Sequence, residues 1–143
     1  MTMMNAAVEE AQIEAELLVG TSRVSFLPQL FCGGVVRFIE PLTLFWMQAL
    51  AQDYNGSEWN YYKLSNGGFY MAPDKHTSLS LQVHGNYFGG TMSADAAGIV
   101  ATLFALGELA ARTEIGRLSD LYHLLRAYAC QHPERGQILA AID

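Results

Sequence analysis

Charged residues are scarce in this sequence. Of its 143 residues, eight are Lys or Arg and 14 are Asp or Glu, so charged side chains make up 15% of the chain and hydrophobic ones 51%. This ratio excludes an intrinsically disordered chain, because enough apolar surface is present to offset the entropy lost on folding. A chain of this length can build one core. We expect a single domain at residues 23–143, preceded by an acidic segment at residues 1–22.

The chain also lacks an apolar run long enough to cross a bilayer, which takes roughly 18 residues. The most apolar stretch, residues 99–111, is too short and contains Gly107 and Glu108. The N-terminal residues carry acids and no base, unlike a secretory signal. We expect a cytoplasmic protein in which Cys32 and Cys130 are buried thiols, because disulfides are rare in a reducing compartment.

Motifs for catalysis and cofactor binding are missing as well. The four histidines and two cysteines show no metal-site spacing, and the sequence has no phosphate-binding glycine loop or nucleophile elbow. Ser93 and Asp95 could be a reactive pair, but a helix N-cap followed by an acid in the first turn explains both residues better. Asp120 and His123 have the spacing of a solvated pair on a helix. We therefore expect no enzymatic activity, no metal and no cofactor.

The net charge of −6 comes mostly from one end of the chain. Residues 1–22 hold four acids and no base, which leaves ten acids and eight bases in residues 23–143. A protein that binds duplex DNA needs a basic stripe, and one that imitates DNA needs acids as dense as one charge per about 1.7 Å. The sequence has neither pattern, so both electrostatic mechanisms have little support.

The spacing of apolar residues predicts several helices. Residues 7–18 could form an acidic helix, whereas residues 24–34 indicate an irregular connection because of Pro28 and the Gly33-Gly34 pair. A helix is predicted over residues 36–54, with Pro41 in its first turn and Asn55-Gly56 at its end. Its predicted core face is Phe38, Leu42, Phe45, Trp46, Ala49 and Leu50.

Three more helices are predicted in the last third of the chain. The first runs from the N-cap Ser93 to about Arg112 and is apolar around most of its circumference, which is typical of a helix in the middle of a core. The second covers residues 115–131, and His132-Pro133 opens a short last helix.

The middle of the chain predicts a β-hairpin. Residues 59–64 and 69–72 are aromatic-rich runs on either side of Asn66-Gly67, the strongest short-range hairpin signal. If Asn66 and Gly67 are the two turn residues, the facing pairs across the ladder are Leu64 with Phe69 and Tyr62 with Met71.

A third strand is predicted over residues 77–83, where apolar and polar side chains alternate. Residues 84–92 have the composition of a glycine-rich loop. Neighbouring strands followed by separate helices indicate an α+β fold. We expect a single compact domain in which a small antiparallel sheet of about three strands packs against four or five helices.

Aromatic side chains crowd the segment from residue 59 to residue 88. Core packing is the default interpretation for aromatic residues in strands. Strand alternation prevents all of them from entering one core, however, and surplus aromatic residues beside a loop are typical of interaction surfaces. Our hypothesis for a partner-binding surface combines the hairpin and its strand end with the loop before the buried helix: Asn66, Tyr70, Asp74, Tyr87, Phe88 and Asp95.

Four segments resemble one known family in order and spacing: FLPQLF (26–31), LSNGGFYMAPD (64–74), SADAAGIVATLFAL (93–106) and residues 122–143. From about residue 24 to the C-terminus, the chain resembles the ArdB/KlcA antirestriction family. One departure is Thr91, where relatives often have an acid. If that acid touches a partner, this chain binds differently.

The resemblance implies a protein of plasmids or mobile elements that protects incoming DNA from host type I restriction endonucleases. It implies contact with the restriction-modification complex, directly or through a host factor, and it assigns no catalytic residue. Two alternatives from other classes stay open: DNA binding through Arg23, Lys63, Lys75 and Arg117, and a small hydrolase at Ser93. The sequence also leaves a homodimer open.

Overall fold

Five helices and two small antiparallel sheets make up the computed structural model, which describes residues 11–31, 33–74 and 78–143. The predicted α+β class is confirmed, although the strands divide into one sheet ordered β1-β2-β3 and a second of β4 and β5. In chain order the elements are β1 (Ala15–Leu17), α1 (Gly20–Leu30), α2 (Val36–Leu50), β2 (Trp59–Leu64), β3 (Phe69–Pro73), β4 (Ser78–Val83), β5 (Phe88–Ser93), α3 (Ala94–Thr113), α4 (Gly116–Ala129) and α5 (Arg135–Ile142).

Helix α3 lies at the centre of the core, as predicted. It contacts α2, α4, α5 and β3, and its apolar side chains are buried along most of its length. The predicted N-cap is confirmed, because Ser93 Oγ accepts a hydrogen bond from the Ala96 N–H. Among the described residues, α3 is the helix that has the length and hydropathy to cross a membrane, and 67% of that stretch is buried inside the fold. A buried core helix of a folded domain has the same composition.

Strand β3 lies at the edge of its sheet, and α3 covers that edge. The Met71 N–H donates to Thr102 Oγ1 at 3.2 Å, and Thr102 Oγ1 donates to the Gly98 carbonyl at 2.8 Å. An unpaired strand edge is a liability for aggregation, so a hydroxyl from α3 here replaces a neighbouring strand. Gly98 allows this close approach, because a Cβ atom at that position would overlap Met71 and Ala72.

The register of the β2–β3 hairpin differs by one residue from the prediction. Lys63 pairs with Phe69, and Tyr62 pairs with Tyr70. The loop has three residues, 65–67, and Gly67 takes the left-handed conformation at φ +96°. A three-residue loop that ends in a left-handed residue is the next most common hairpin connection after the two-residue turn. The Asn-Gly signal therefore located the hairpin correctly, but the loop length set a different register.

The third strand is confirmed as β4, in which exposed and buried residues alternate. The glycine-rich loop predicted over residues 84–92 is confirmed at residues 84–87 and wrong from residue 88 on, because residues 88–93 form β5 and pair with β4. Glycine is rare in strands except where another element approaches closely. A Cβ atom at Gly90 would lie 2.7 Å from Oε1 of Gln137, a residue of α5. Gly90 therefore lies beneath the end of an exposed α5 side chain, whereas a Cβ atom at Gly89 would meet open space.

The acidic helix predicted over residues 7–18 is wrong for its described part. Residues 15–17 form β1, which pairs antiparallel with β2 and places Glu16 opposite Lys63. Opposite charges across a ladder stabilise the pair. Leu18 is buried in the core, so the described end of the acidic segment belongs to the fold. Residues 7–10 lie outside the described residues.

The irregular connection predicted over residues 24–34 is also wrong. Residues 20–30 are helical as α1, with Pro28 exposed in the last turn, and a short 3-10 turn follows at Gly33–Val35. A proline inside a helix removes one backbone hydrogen bond. Burial of Leu27 in the core offsets that cost.

Helix α2 ends at Leu50, four residues earlier than predicted, and Pro41 lies inside it, not in its first turn. Its buried face is Ile39, Thr43, Met47 and Leu50, so the predicted core face is largely wrong. Of the predicted residues, Leu50 is buried and Leu42 and Trp46 are partly buried, but Phe38, Phe45 and Ala49 are exposed. The helix has apolar residues on two sides, and spacing alone did not show which side enters the core.

Cys130, just after α4, is exposed, so the prediction of a buried thiol is wrong there. It lies beyond the last turn of α4, where the chain turns towards α5. Cys32 lies outside the described residues.

The Gly98→Ala variant should lose about 2 kcal/mol of unfolding free energy, because overpacking a close contact forces backbone shifts. Gly107→Ala on the same helix is the matched control. Its new methyl group would lie 3.6 Å from the Tyr122 ring, so it should be neutral or stabilise the protein by up to about 1 kcal/mol through helix propensity. Urea unfolding of both variants measures the difference. Equal midpoints would contradict the α3–β3 contact.

Candidate functional site

The carboxylate of Asp95, in the first turn of α3, has a different partner on each oxygen. Tyr70 Oη donates to Oδ1 at 2.7 Å, and His132 Nε2 lies 2.9 Å from Oδ2. Tyr70 is 1% exposed and His132 is 6% exposed. The start of a helix also favours a negative charge. Asp95 therefore connects β3, the start of α3 and the segment between α4 and α5.

The hydrogen bonds continue from His132 to the start of α3. His132 Nδ1 accepts from the Glu134 N–H at 3.0 Å, so Nδ1 carries no proton and Nε2–H is the donor towards Asp95. The Glu134 carboxylate accepts from the Ser93 N–H at 2.9 Å and from the Ser93 hydroxyl. We call these five residues the Asp95 network: Tyr70, Ser93, Asp95, His132 and Glu134.

Stacked tyrosine rings cover the Tyr70 end of the Asp95 network. The Tyr70 ring lies 4.7 Å from that of Tyr62 and 5.7 Å from that of Tyr128, both in stacked orientation. Burial, reinforced by the adjacent negative charge of Asp95, raises the pKa of the Tyr70 hydroxyl far above its ordinary value. Burial also raises the pKa of Tyr128. The Tyr70 hydroxyl therefore stays a neutral donor to Asp95.

The network does not have the serine–histidine pairing of a serine hydrolase. Ser93 Oγ is engaged by the Ala96 N–H and by Glu134, and His132 contacts Asp95 instead of Ser93. A serine–histidine pair requires the two side chains within hydrogen-bond reach of each other, and the contacts of Ser93 do not include His132. The described residues also contain no cluster of three His, Cys, Asp or Glu side chains that could hold a metal ion. The network serves to connect secondary-structure elements.

The tip of the β4–β5 hairpin presents a second group of residues, around Tyr87. Tyr87 is 96% exposed, and its backbone is left-handed at φ 62°. A large residue in that conformation is an outlier that costs about 1–3 kcal/mol, and such outliers cluster at binding sites. Tyr87 is therefore the strongest candidate among the predicted residues for contact with a partner.

Asn86 holds this tip in place. Its Nδ2 donates to the carbonyls of Ala140 and Ala141, at 3.3 and 2.9 Å, and its Oδ1 accepts from the Phe88 N–H at 3.0 Å. The last carbonyls of a helix have no partner within the helix, so Asn86 caps α5 and fixes the hairpin at once. Tyr87 is thus displayed from an anchored turn.

The six residues predicted as one partner-binding surface take different positions. Tyr70 is buried, so its side chain is not available to a partner, and Asp95 is tied to it. Asn66 bonds the Leu124 carbonyl at 2.9 Å and thereby anchors the β2–β3 loop to α4. Asp74 and Tyr87 are exposed, and Phe88 is half-buried against the core. The sequence hypothesis joined residues that brace the fold with residues that face solvent.

Sequence reasoning missed His132, Glu134 and Asn86. An ion pair or cap between residues about 40 or more positions apart leaves no local spacing pattern. Asn86 did carry a signal, since Gly85-Asn86 is a turn dipeptide that could have marked a hairpin tip between two strands.

Two of the four basic residues proposed for DNA binding, Arg23 and Lys63, lie against other residues of this protein. Arg23 donates to the Trp59 carbonyl at 2.8 Å and lies 4.6 Å from the centre of the Tyr61 ring. Lys63 pairs opposite Glu16 across β1 and β2, and Lys75 lies outside the described residues.

Comparisons with known proteins agree on one family. The family model described as Antirestriction protein matches residues 52–143. Two proteins named Antirestriction protein KlcA, both from Escherichia coli, are 46% identical to this chain: one over 139 residues, covering 94% of this chain and 98% of the relative, the other over 137 residues, covering 92% and 94%.

A solved structure gives the same result for the fold. It is described as showing that KlcA and ArdB proteins have a novel fold and antirestriction activity against type I DNA restriction systems in vivo but not in vitro. It superimposes with a TM-score of 0.87 at 48% sequence identity and covers 95% of this chain and 99% of its own.

The raised pKa of Tyr70 predicts a loss of stability at alkaline pH. Above about pH 10 the unfolded chain releases the Tyr70 proton and the folded chain does not, so the unfolding free energy falls as pH rises. Tyr70→Phe removes this dependence and should flatten the alkaline slope by up to about 1.4 kcal/mol per pH unit, while costing about 1–2 kcal/mol at pH 7. Tyr87→Phe, which changes an exposed ring, is the control. Chemical denaturation between pH 7 and 11 measures the unfolding free energy of each variant. If this free energy depends on pH in the same way for wild type and Tyr70→Phe, the assignment is contradicted.

Proposed function

Because this chain belongs to the ArdB/KlcA family of antirestriction proteins, which act against type I DNA restriction systems, we propose that it protects incoming plasmid or mobile-element DNA through contact with a host protein. Neither catalysis nor imitation of DNA charge is required. The partner is the type I restriction-modification complex or a host factor acting with it, and the contact occurs in the cytoplasm.

The observation that supports contact over DNA mimicry is the sparseness of acidic charge. Ten base pairs of duplex span about 34 Å and carry about 20 phosphate charges. The whole chain has 14 acids and eight bases. Asp95, Glu108 and Glu134 are moreover held in hydrogen bonds within the fold. Too few carboxylates are left to reproduce even one turn of DNA.

The hairpin tip around Tyr87 is the best-supported contact surface. An aromatic ring that is nearly fully exposed offers a partner a large contact area, and the anchored turn lowers the entropy lost on binding. Phe88, the next residue along the chain, remains a candidate rim residue of this tip, and the exposed Asp74 at the end of β3 remains a separate candidate. Tyr70 and Asp95 bond each other at the start of α3, beyond the end of β5 that lies opposite the tip, and do not form part of this surface.

The activity reported for the KlcA and ArdB structures in vivo but not in vitro bears on the partner. If this chain behaves alike, its target includes a component or a state of the restriction complex that purified enzyme does not supply. We therefore place the contact on a complex engaged with DNA in the cell, or on a host factor bound to it.

Expression of this gene should raise the yield of transformants when unmodified plasmid enters a host with an active type I system. Protection should be at least about tenfold, which corresponds to 1.4 kcal/mol of effective inhibition. A host without the restriction subunit is the control and should give equal yields with and without the gene. Unchanged restriction in the first host would defeat the proposed function.

Replacing Tyr87 separates stability from function. Tyr87→Asn removes an exposed ring and places a residue that tolerates left-handed backbone, so stability should stay level or rise by up to about 1 kcal/mol. Affinity for the partner should fall roughly 30-fold, because truncating a binding hot spot costs about 2 kcal/mol or more, and most of the protection should be lost with it. Tyr87→Phe keeps the ring and should retain protection. Thermal unfolding and transformation assays on the same variants measure both effects, and a folded Tyr87→Asn protein with full protection would exclude this surface.

A further inference from the structure

A cleft of about 510 Å³ lies between α1, α2 and the β2–β3 hairpin. The side chains of Leu44 and Trp59 line it, together with Tyr61 and Met71, which are 8% and 3% exposed. Ligand sites have this range of volume and this kind of lining, in which apolar and aromatic side chains surround a few charged groups. The cleft therefore has the size and the composition of a binding site.

Arg23 of α1 is held in this cleft by two neutral groups. Its Nη2 donates to the Trp59 carbonyl at 2.8 Å, and its Cζ lies 4.6 Å from the centre of the Tyr61 ring. The residue is partly buried, and among the described residues no carboxylate forms an ion pair with it. A partly buried cation without a counter-charge favours an anionic partner. A guanidinium that is already fixed also binds a planar carboxylate with little further loss of entropy.

The other charges of the cleft limit how much negative charge a ligand can carry. Arg37 of α2 lines it as well, and so do Glu40 and Glu58, all three of which are exposed. The cleft therefore holds two guanidinium groups and two carboxylates. A polyanion such as DNA would be repelled by these carboxylates, whereas a single carboxylate at Arg23 would not need to approach them. The balance favours a ligand with one negative group on an apolar body.

A second depression of about 190 Å³ adjoins the first and extends it. The two share four lining residues: Arg23, Val36, Glu40 and Tyr61. The smaller depression is also lined by the apolar side chains of Leu27 and Pro28. Arg23 thus lies where the two depressions meet. We call both depressions together the Arg23 cleft.

We propose that the Arg23 cleft binds an extended peptide segment of the pattern apolar-x-acid-x-apolar. Alternate side chains of an extended chain point to the same side at intervals of about 7 Å. The three can therefore enter the cleft together: one apolar side chain fills each depression, and the acid between them accepts hydrogen bonds from Arg23. This proposal does not rest on the antirestriction contact, which uses the hairpin tip on β4 and β5.

Titration of the isotope-labelled full chain with blocked pentapeptides, followed by NMR, tests the proposal. The probes are acetyl-Phe-Ser-Asp-Ser-Val-amide and acetyl-Val-Ser-Asp-Ser-Phe-amide, which cover both chain directions. The chain has two tryptophans, and of these Trp59 lines the cleft while Trp46 bonds Glu108 elsewhere. With at least one peptide, the Trp59 indole signal should shift to saturation and the Trp46 signal should stay in place. No Trp59 shift with either peptide up to about 5 mM would overturn the proposal, because such a peptide would bind with less than about 4 kcal/mol.

Matched ligands test the role of the carboxylate on the wild-type protein. The same peptide with Asn in place of Asp keeps the shape, loses the charge, and should bind about tenfold more weakly, since hydrogen bonds between charged groups are the stronger ones. Phenylacetate keeps a ring and a carboxylate but fills one depression, so it should also bind at least about tenfold more weakly. Equal affinity for the Asn peptide, or for phenylacetate, would contradict the proposal.

Arg23→Gln locates the interaction. This variant should bind the Asp peptide about tenfold more weakly than wild type and the Asn peptide equally well. Arg117→Gln removes an exposed guanidinium from α4 and should bind both peptides like wild type. The NMR spectrum of each variant shows whether it is folded, and the comparison of Asp and Asn peptides on wild type needs no variant. A folded Arg23→Gln protein that still prefers the Asp peptide tenfold would reject Arg23 as the binding group.

Discussion

The rest of the structure depends on the environment of the Asp95 carboxylate. It lies at the start of the buried helix α3 and accepts hydrogen bonds from Tyr70 on β3 and from His132 before α5. A buried polar group costs free energy unless it is paired, and the buried Tyr70 and His132 side chains find their partner in Asp95, whose own side chain is 39% exposed. The apolar core holds α3 in the middle of the fold. The Asp95 network fixes the positions of β3 and of the segment before α5 at the N-terminal end of α3.

Helix α5 connects the Asp95 network to the hairpin tip at the protein surface. Glu134, immediately before this helix, accepts from Ser93 at the start of α3, and Gln137 donates to the Thr91 carbonyl on β5 at 3.2 Å. The end of α5 accepts from Asn86 at the hairpin tip. This short helix therefore fastens the β4–β5 hairpin to the core along its whole length. Tyr87 can keep an unfavourable backbone conformation because the surrounding contacts determine it.

Local patterns in the sequence predicted some elements well and others poorly. The Ser93 cap, the buried helix α3 and the alternating strand β4 follow from residues close in sequence. The β2–β3 register depended on a loop one residue longer than the two-residue turn, and β5 forms by pairing with β4 in spite of its Gly89-Gly90 pair. The core face of α2 could not be chosen because both sides are apolar. The Asp95 network joins residues 25 to 41 positions apart, so no local motif marks it.

The central functional claim is that protection arises from protein contact at the hairpin tip. A photo-reactive phenylalanine analogue at position 87, activated by light in cells that hold a type I system and unmodified DNA, tests it most directly. We expect a covalent adduct with a subunit of the restriction complex or with a host protein bound to it, and no such adduct when the same analogue replaces exposed Ile115. An adduct with DNA, or none above the Ile115 control while protection persists, would contradict the account.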